Sequence, residues 1–201
     1  MSELIPFFSI VIPTYNRAHL IKSTIESVQA QTYLNWELLL VDDGSKDSTK
    51  EVVEEINDAR IKYIYQTNAE RSAARNNGVN NATGKYVCFL DSDDLYLPMH
   101  LETLYQQIVK SNEPVCLLFT NCKHLLDTGD LNEAPLVTIA GVDPRIYFLK
   151  HSVIPARICI HRSILNEYKF RTDIVIVEDS VLWISIAQKY PVLQIEEPTI
   201  I

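Results

Sequence analysis

No stretch of this 201-residue sequence approaches the roughly 20 consecutive apolar residues that a membrane-crossing helix needs. Basic residues are also short: 18 Lys and Arg stand against 26 Asp and Glu, for a formal charge of −8. Nowhere do they form the dense stripe that duplex nucleic acid wants, so nucleic acid is excluded as a partner. The four cysteines (Cys88, Cys116, Cys122 and Cys159) are widely spaced, three of them inside apolar runs, and no CxxC pair occurs. That argues against a zinc site or a redox dithiol, and for small core residues in a reducing compartment. The opening Met1-Ser2-Glu3-Leu4-Ile5-Pro6 carries an acid where a secretory leader carries basic residues. A cytoplasmic protein, working at the inner face of a membrane, is the expectation. No GxGxxG follows any strand-like run, which disfavours a dinucleotide dehydrogenase. The histidines His19, His100, His124, His151 and His161 lack metal-ligand spacing, and internal repeats and low-complexity segments are absent.

What the chain does have is 47% apolar content, enough for one good core, arranged as alternating strand and helix signals. Residues 7–12 predict a strand ending at Pro13, and Leu20, Ile21, Thr24, Ile25 and Val28 recur at helical spacing. A strand through Val41 follows. Asp47 is placed to cap a helix carrying Val52, Val53 and Ile56. A strand over 61–65, a helix over 73–81, a strand ending at Leu90, a helix begun by Pro98 and a strand over 115–120 complete the regular part. This order predicts an α/β fold with a mostly parallel central sheet and helices on both faces. Residues 121–145 read as loops with a short strand at 136–139. A strand over 157–161 and a helix after Glu178-Asp179 follow. The sequence stops in what looks like the opening of a strand, as the front part of a longer protein would.

Two acid clusters each follow an apolar run directly. Leu38-Leu39-Leu40-Val41 leads into Asp42-Asp43-Gly44-Ser45, and Tyr86-Val87-Cys88-Phe89-Leu90 leads into Asp91-Ser92-Asp93-Asp94. Buried parallel strands would deliver these carboxylates to one rim of one sheet, where doubly wound folds bind ligands. Like charges held that close call for a cation, and a divalent metal with oxygen ligands is the simplest. An exposed acidic turn is the ordinary account, but it explains poorly why the acids abut core runs. Of the adjacent Asp42 and Asp43, one must face the cleft, where its carboxylate can accept a uracil N3–H. Pro13-Thr14-Tyr15-Asn16-Arg17 is either a plain strand-to-helix turn or a loop offering a hydroxyl, an amide and a ring to a nucleobase. Arg71 and Arg75, four apart on one helix face, are either solvated or partners of carboxylate and phosphate. Glu178-Asp179 has the ordinary explanation that acids favour helix N-termini.

Taken together and in order, the Pro-Thr-Tyr-Asn turn, the Asp-Asp-Gly-Ser turn, the Ala-Arg-Asn helix, the Asp-Ser-Asp-Asp turn and the late Glu-Asp resemble the family 2 glycosyltransferases. These are inverting enzymes of the GT-A, or nucleotide-diphospho-sugar transferase, fold. The resemblance runs from Phe7 to about Ile201 and is strongest up to Pro98. It implies a donor-binding part over 1–120 and an acceptor-side part over 121–201, incomplete at its C-terminus. A nucleoside diphosphate sugar, UDP-linked, would be the donor, with Mn²⁺ or Mg²⁺ as cofactor. Pro13, Thr14, Tyr15 and Asn16 would line the nucleotide pocket, with Asp43 reading the base and Arg71 near it. Arg75 would brace the acids, Asp91 and Ser92 would contact ribose or metal, and Asp93 would coordinate the metal. Asp179 would be the general base for a hydroxyl on a carbohydrate or lipid-linked glycan acceptor, facing the Asp91–Asp93 turn across the cleft. Trp183 would pack on a sugar ring or in the core. Bacterial polysaccharide or lipopolysaccharide assembly is the implied setting.

Two departures stand out. Many members carry Gly where this chain has Ala69-Glu70-Arg71-Ser72, and many continue well past residue 201 with segments that cover the acceptor site and reach the membrane surface. Other classes compete. A phosphoacceptor signalling domain also carries acids on a parallel sheet, but it needs a Lys and a Ser/Thr beyond later strands, and no such set is found. A nucleotidyltransferase would want a Gly-rich basic loop after the first strand. A nonenzymatic sugar-nucleotide or glycan-binding module on the same scaffold stays open.

Overall fold

The computed structural model describes residues 5–126, 128–135 and 137–201. Its first strand, β1 (Phe8–Thr14), is buried along its whole length, as are β2 (Trp36–Asp42) and β4 (Tyr86–Phe89). Side chains alternate faces along a strand, so the middle of a strand covered on both sides is apolar at every position, and the buried polar pair at the strand starts, Ser9 and Glu37, is joined by its own hydrogen bond. Ile10, Ile12, Leu38, Leu40 and Cys88 enter one core with Ile21, Ile25 and Val28 of α1 (Ile21–Gln29) and Leu101, Leu104 and Ile108 of α4 (His100–Lys110). Val11, Leu39, Val87 and Phe89 enter the other. There they meet Val79 of α3 (Glu70–Asn81), Phe148 of α5 (Pro144–Lys150) and Leu182, Trp183 and Ile186 of α7 (Glu178–Ala187). Trp183 is fully buried and donates its indole N–H to the Val153 carbonyl, so it is a core residue.

The strand order is β3-β2-β1-β4-β7-β5-β6, with β8 paired to β5; β3 is Ile61–Tyr65, β5 Leu117–Leu125, β6 Leu131–Glu133, β7 Ile158–His161 and β8 Val192–Ile200. The pairs β1·β2, β1·β4, β2·β3 and β5·β8 are parallel. β7 runs antiparallel between β4 and β5, so the sheet is mixed. The remaining helices are α2 (Thr49–Glu54) and α6 (Ile164–Glu167). The expected helix after Asp47 is α2, but Ser48 holds the N-cap position. Asp47 instead accepts from the Thr49 N–H and, across the loop, from the Ala18 N–H. Of the expected strand at 136–139, Leu136 lies outside the described residues and 137–139 are not extended into a strand; the short strand is β6.

Gly78 lets α3 lie directly on β1, since a Cβ there would sit 2.3 Å from Val11 Cγ1. Gly44, at φ +84°, turns the chain after β2 into the loop against Asn68, a conformation that costs a side-chain-bearing residue.

Candidate active site

Because β1, β2 and β4 are parallel neighbours, their C-terminal ends open on one edge, and the loops that follow meet there. They enclose a cleft of about 630 Å³. Pro13, Thr14 and Tyr15 come to it from the end of β1, Asp43 from the end of β2, Arg71 and Arg75 from α3, and Asp91, Ser92 and Asp93 from the turn after β4. Arg17, Asn68, Glu70 and Ala74 complete the lining.

The two aspartates at the end of β2 divide as their alternation requires. Asp42 is buried, accepting from the Tyr63 hydroxyl at 2.6 Å and the Ser45 N–H at 2.8 Å, and closes the turn. Asp43 Oδ1 accepts from Gln66 Nε2 (2.7 Å) and the Ala69 N–H (2.9 Å), while no donor among the described residues reaches Oδ2. The Thr14 hydroxyl, buried in the lining, has no partner among the described residues. A buried donor left unmatched costs about 1–3 kcal/mol, which a ligand's acceptor would offset.

Asn16 does not line the cleft. It sits at φ +53°; its N–H donates to Ser45 Oγ and its Oδ1 accepts from the Lys46 N–H, so it staples the loop after β1 to the loop after β2.

The acid turn is tied to α3 by a buried arginine. Arg75 Nη2 donates to Asp91 Oδ1 at 2.7 Å and Nη1 to Glu178 Oε1 at 3.1 Å, with the Phe170 ring 5.3 Å from its Cζ. Asn76 holds that ring's residue by a pair of hydrogen bonds to the Phe170 backbone. Arg71 Nε lies 3.3 Å from the same Glu178 oxygen, and its Nη2 donates to the Val175 carbonyl. Glu178, to which the sequence assigns no role of its own beyond the ordinary one of a helix-end acid, is therefore the anchor of α7 to the cleft. Two arginines sharing one helix face, in need of a buried counter-charge, were the signal for it.

Asp179 itself is half-buried and does not line the cleft; its Oδ1 accepts from the Ser180 N–H. Burial raises its pKa above the usual carboxylate value, and the neighbouring Glu178 adds to this. The chain enters α7 through Val177 at φ +59°, a strained conformation for a β-branched residue.

Asp93 is half-exposed at the cleft, its nearest cation being Arg17 at 4.0 Å. Burial first, then the charges of Asp91 and Asp93, push the Asp94 carboxyl up to about 7. Negative charge in this turn is thus undercompensated. Among the described residues no three His, Cys, Asp or Glu side chains converge as a closed metal cage. Two hard carboxylates on an open cleft nonetheless suit Mg²⁺ or Mn²⁺, which bind through one or two carboxylates plus a substrate's phosphate oxygens.

The Glycosyl transferase family 2 model matches residues 9–168. The chain belongs to the family 2 glycosyltransferases. Over 183 residues, 89% of this chain, it is 35% identical to the UDP-Glc:α-D-GlcNAc-diphosphoundecaprenol β-1,3-glucosyltransferase WfgD of Escherichia coli, covering 68% of that protein. The fold is GT-A. The crystal structure of S. aureus TarS 1-349 in complex with UDP superposes with a TM-score of 0.81 at 22% identity, covering 96% of this chain and 59% of that one. The mannosyltransferase PcManGT of Pyrobaculum calidifontis, in complex with GDP-Man and Mn²⁺, gives 0.74 at 22% identity, covering 97% of this chain and 56% of that one. This family 2 chain therefore spans about two thirds of its E. coli relative and under three fifths of the two solved structures. Among the described residues no helix is long and apolar enough to cross a membrane.

Proposed function

We propose that this glycosyltransferase moves a sugar, with inversion, from a UDP-linked donor to a hydroxyl of a glycan or lipid-linked glycan acceptor, in bacterial polysaccharide or lipopolysaccharide synthesis at the cytoplasmic face of the membrane. The observation that carries the reading is the cleft itself. It combines an aspartate with one free oxygen (Asp43), an unmatched buried hydroxyl (Thr14) and an acid turn in which Asp91 is paired with Arg75 while Asp93 has only Arg17, at 4.0 Å, all at the ends of three parallel strands. The E. coli relative's UDP-Glc donor favours uracil as the base. Residues 1–120 hold the donor and 121–201 form the acceptor side.

In this reading Asp43 accepts the base N3–H, and Thr14 and Tyr15 line the nucleoside with Arg71 beside it. Arg75, fixed between Asp91 and Glu178, holds the acid turn in place. Asp91 and Asp93 would hold Mn²⁺ or Mg²⁺, which when bound neutralises the diphosphate and makes it a better leaving group. Asp179 takes the proton of the acceptor hydroxyl as that oxygen bonds to the anomeric carbon and the bond from that carbon to the diphosphate oxygen breaks. Its raised pKa makes it a stronger base than an ordinary carboxylate.

Calorimetric titration of UDP, GDP and ADP with Mn²⁺, Mg²⁺ or chelator into wild type and Asp93→Ala tests the reading. Metal-dependent preference for UDP, lost in Asp93→Ala, is expected. Equal binding by the two proteins, or binding indifferent to metal, overturns the metal assignment.

A further inference from the structure

The part of the cleft beside Asp43 holds a carboxylate that the donor reading leaves unused. Glu70, the first residue of α3, lines the cleft and is exposed, and no hydrogen bond or ion pair among the described residues engages its side chain. Its neighbours fix its place: Asn68 Nδ2 donates to the Asp43 carbonyl and the Ala69 N–H to Asp43 Oδ1, both at 2.9 Å. The chain then passes through Glu70 at φ +70°, the left-handed region where glycine is the default residue. Arg71, next along, is turned to Glu178 and the Val175 carbonyl and leaves the Glu70 charge unanswered. The ordinary account of Glu70 is an acid favoured at a helix N-terminus. That gain is smaller than the cost of a left-handed backbone for a residue with a side chain, so it does not explain why a glutamate stands here.

A second observation marks this part of the cleft as built for a ligand. Thr14, whose carbonyl accepts from the Asp43 N–H at 2.8 Å, brings to the wall a buried hydroxyl with no partner among the described residues. What a carboxylate takes here follows from the chemistry of a uridine diphosphate. The uracil edge offers one donor, N3–H, between two carbonyl oxygens, and Asp43 has the free oxygen for it. A second carboxylate at that edge meets carbonyls and is repelled, as it is by the diphosphate. The ribose hydroxyls remain, each a donor that a carboxylate accepts well. We propose that Glu70 is a specificity-determining residue, which accepts from the ribose 2′- and 3′-hydroxyls and so selects ribonucleotides over their deoxy counterparts. The inference rests on the uridine donor reading, because a base with two donors on its edge would claim both Asp43 and Glu70.

The test is calorimetric titration of UDP, 2′,3′-dideoxy-UDP and GDP, each with Mn²⁺, into wild type, Glu70→Gly and Glu70→Gln. Glycine suits the left-handed backbone, so Glu70→Gly keeps the fold, and glutamine keeps the length of the side chain without its charge. Wild type is expected to bind UDP at least about tenfold more tightly than the dideoxy analogue. Glu70→Gly should weaken UDP about tenfold, the loss of a charge-assisted hydrogen bond, and leave the dideoxy analogue within about twofold; Glu70→Gln, which retains an acceptor, should lose less. The same loss for both nucleotides, or none for either, overturns the inference. So does a wild-type preference for GDP that Glu70→Gly abolishes, which would put the carboxylate at the base. Failure of UDP to bind wild type overturns the donor reading and this inference with it, whereas UDP binding with the same ratio to the dideoxy analogue in all three proteins overturns the inference alone.

Discussion

Replacing Arg75 by Leu is the most searching perturbation of the site's frame. The residue is 3% exposed, and its guanidinium carries two charge-assisted hydrogen bonds, to Asp91 at 2.7 Å and Glu178 at 3.1 Å. Without it the two carboxylates fare differently. The Asp91 side chain is 26% exposed and can rehydrate, but Glu178 is 6% exposed and keeps only Arg71 Nε at 3.3 Å. Breaking a buried ion pair from one side costs about 3–5 kcal/mol, and the retained Arg71 contact places this case near about 3. For a chain of this size that is a fall in Tm of about 6–12 °C. Glu178→Gln in the Arg75→Leu background removes the stranded charge and should restore about 1–2 kcal/mol, whereas in wild type it should destabilise. Urea and thermal unfolding followed by circular dichroism at pH 7.5 on all four proteins gives the cycle. A loss below about 1 kcal/mol for Arg75→Leu, or the same cost for Glu178→Gln in both backgrounds, refutes the view that one buried guanidinium holds the turn after β4 and the start of α7 together.

Burial holds the His100 imidazole far below its usual value, at about 3, with Nδ1 against the Thr199 hydroxyl and Nε2 unpartnered among the described residues. The unfolded chain takes up this proton near pH 6.5, so the stabilisation is full above that pH and fades as pH falls towards 3. By pH 5 about 2 kcal/mol is lost, and a wild type whose unfolding free energy falls no more steeply from pH 7.5 to 5 than that of His100→Phe contradicts this. Gly78→Ala would gain about 1 kcal/mol in an exposed helix, but here the new methyl meets Val11, and overpacking of about 1–3 kcal/mol turns the gain into a net loss; a raised Tm counts against the contact. Asp179→Asn should leave UDP affinity within about twofold and cut sugar transfer, measured on the complete enzyme, by about 10²–10⁴-fold; retained transfer removes Asp179 as the base.

The half of the fold that was legible is the half whose strands are covered on both faces. Ile10-Val11-Ile12 and Leu38-Leu39-Leu40 split between two cores, so every position is apolar and the run announces itself. β6 is exposed throughout and only three residues long, so it has no such run. α5 carries its own start signal, Asp143 capping the Arg145 N–H and Pro144 at the first helical position, but it begins inside a stretch that otherwise reads as loop. The antiparallel β7 was legible as a strand and not as a direction, since a short run over 158–161 does not say which way it enters the sheet.

The site divides along the same line. Asp43, Asp91 and Asp93 follow apolar runs, and the ends of neighbouring parallel strands bring them to one rim. Asn16 looked like a pocket residue because it sits inside the right motif, but a left-handed backbone turns its amide to the neighbouring loop. The tie between Arg75 and Glu178 joins residues 103 apart and exists only once α7 has packed on the sheet through Leu182, Trp183 and Ile186. The strands set the carboxylates, and their mutual repulsion is answered by Arg75. Arg75 in turn is neutralised by an acid that only the last helix can deliver, so the residue next to that acid, Asp179, is positioned by the same contact that completes the frame.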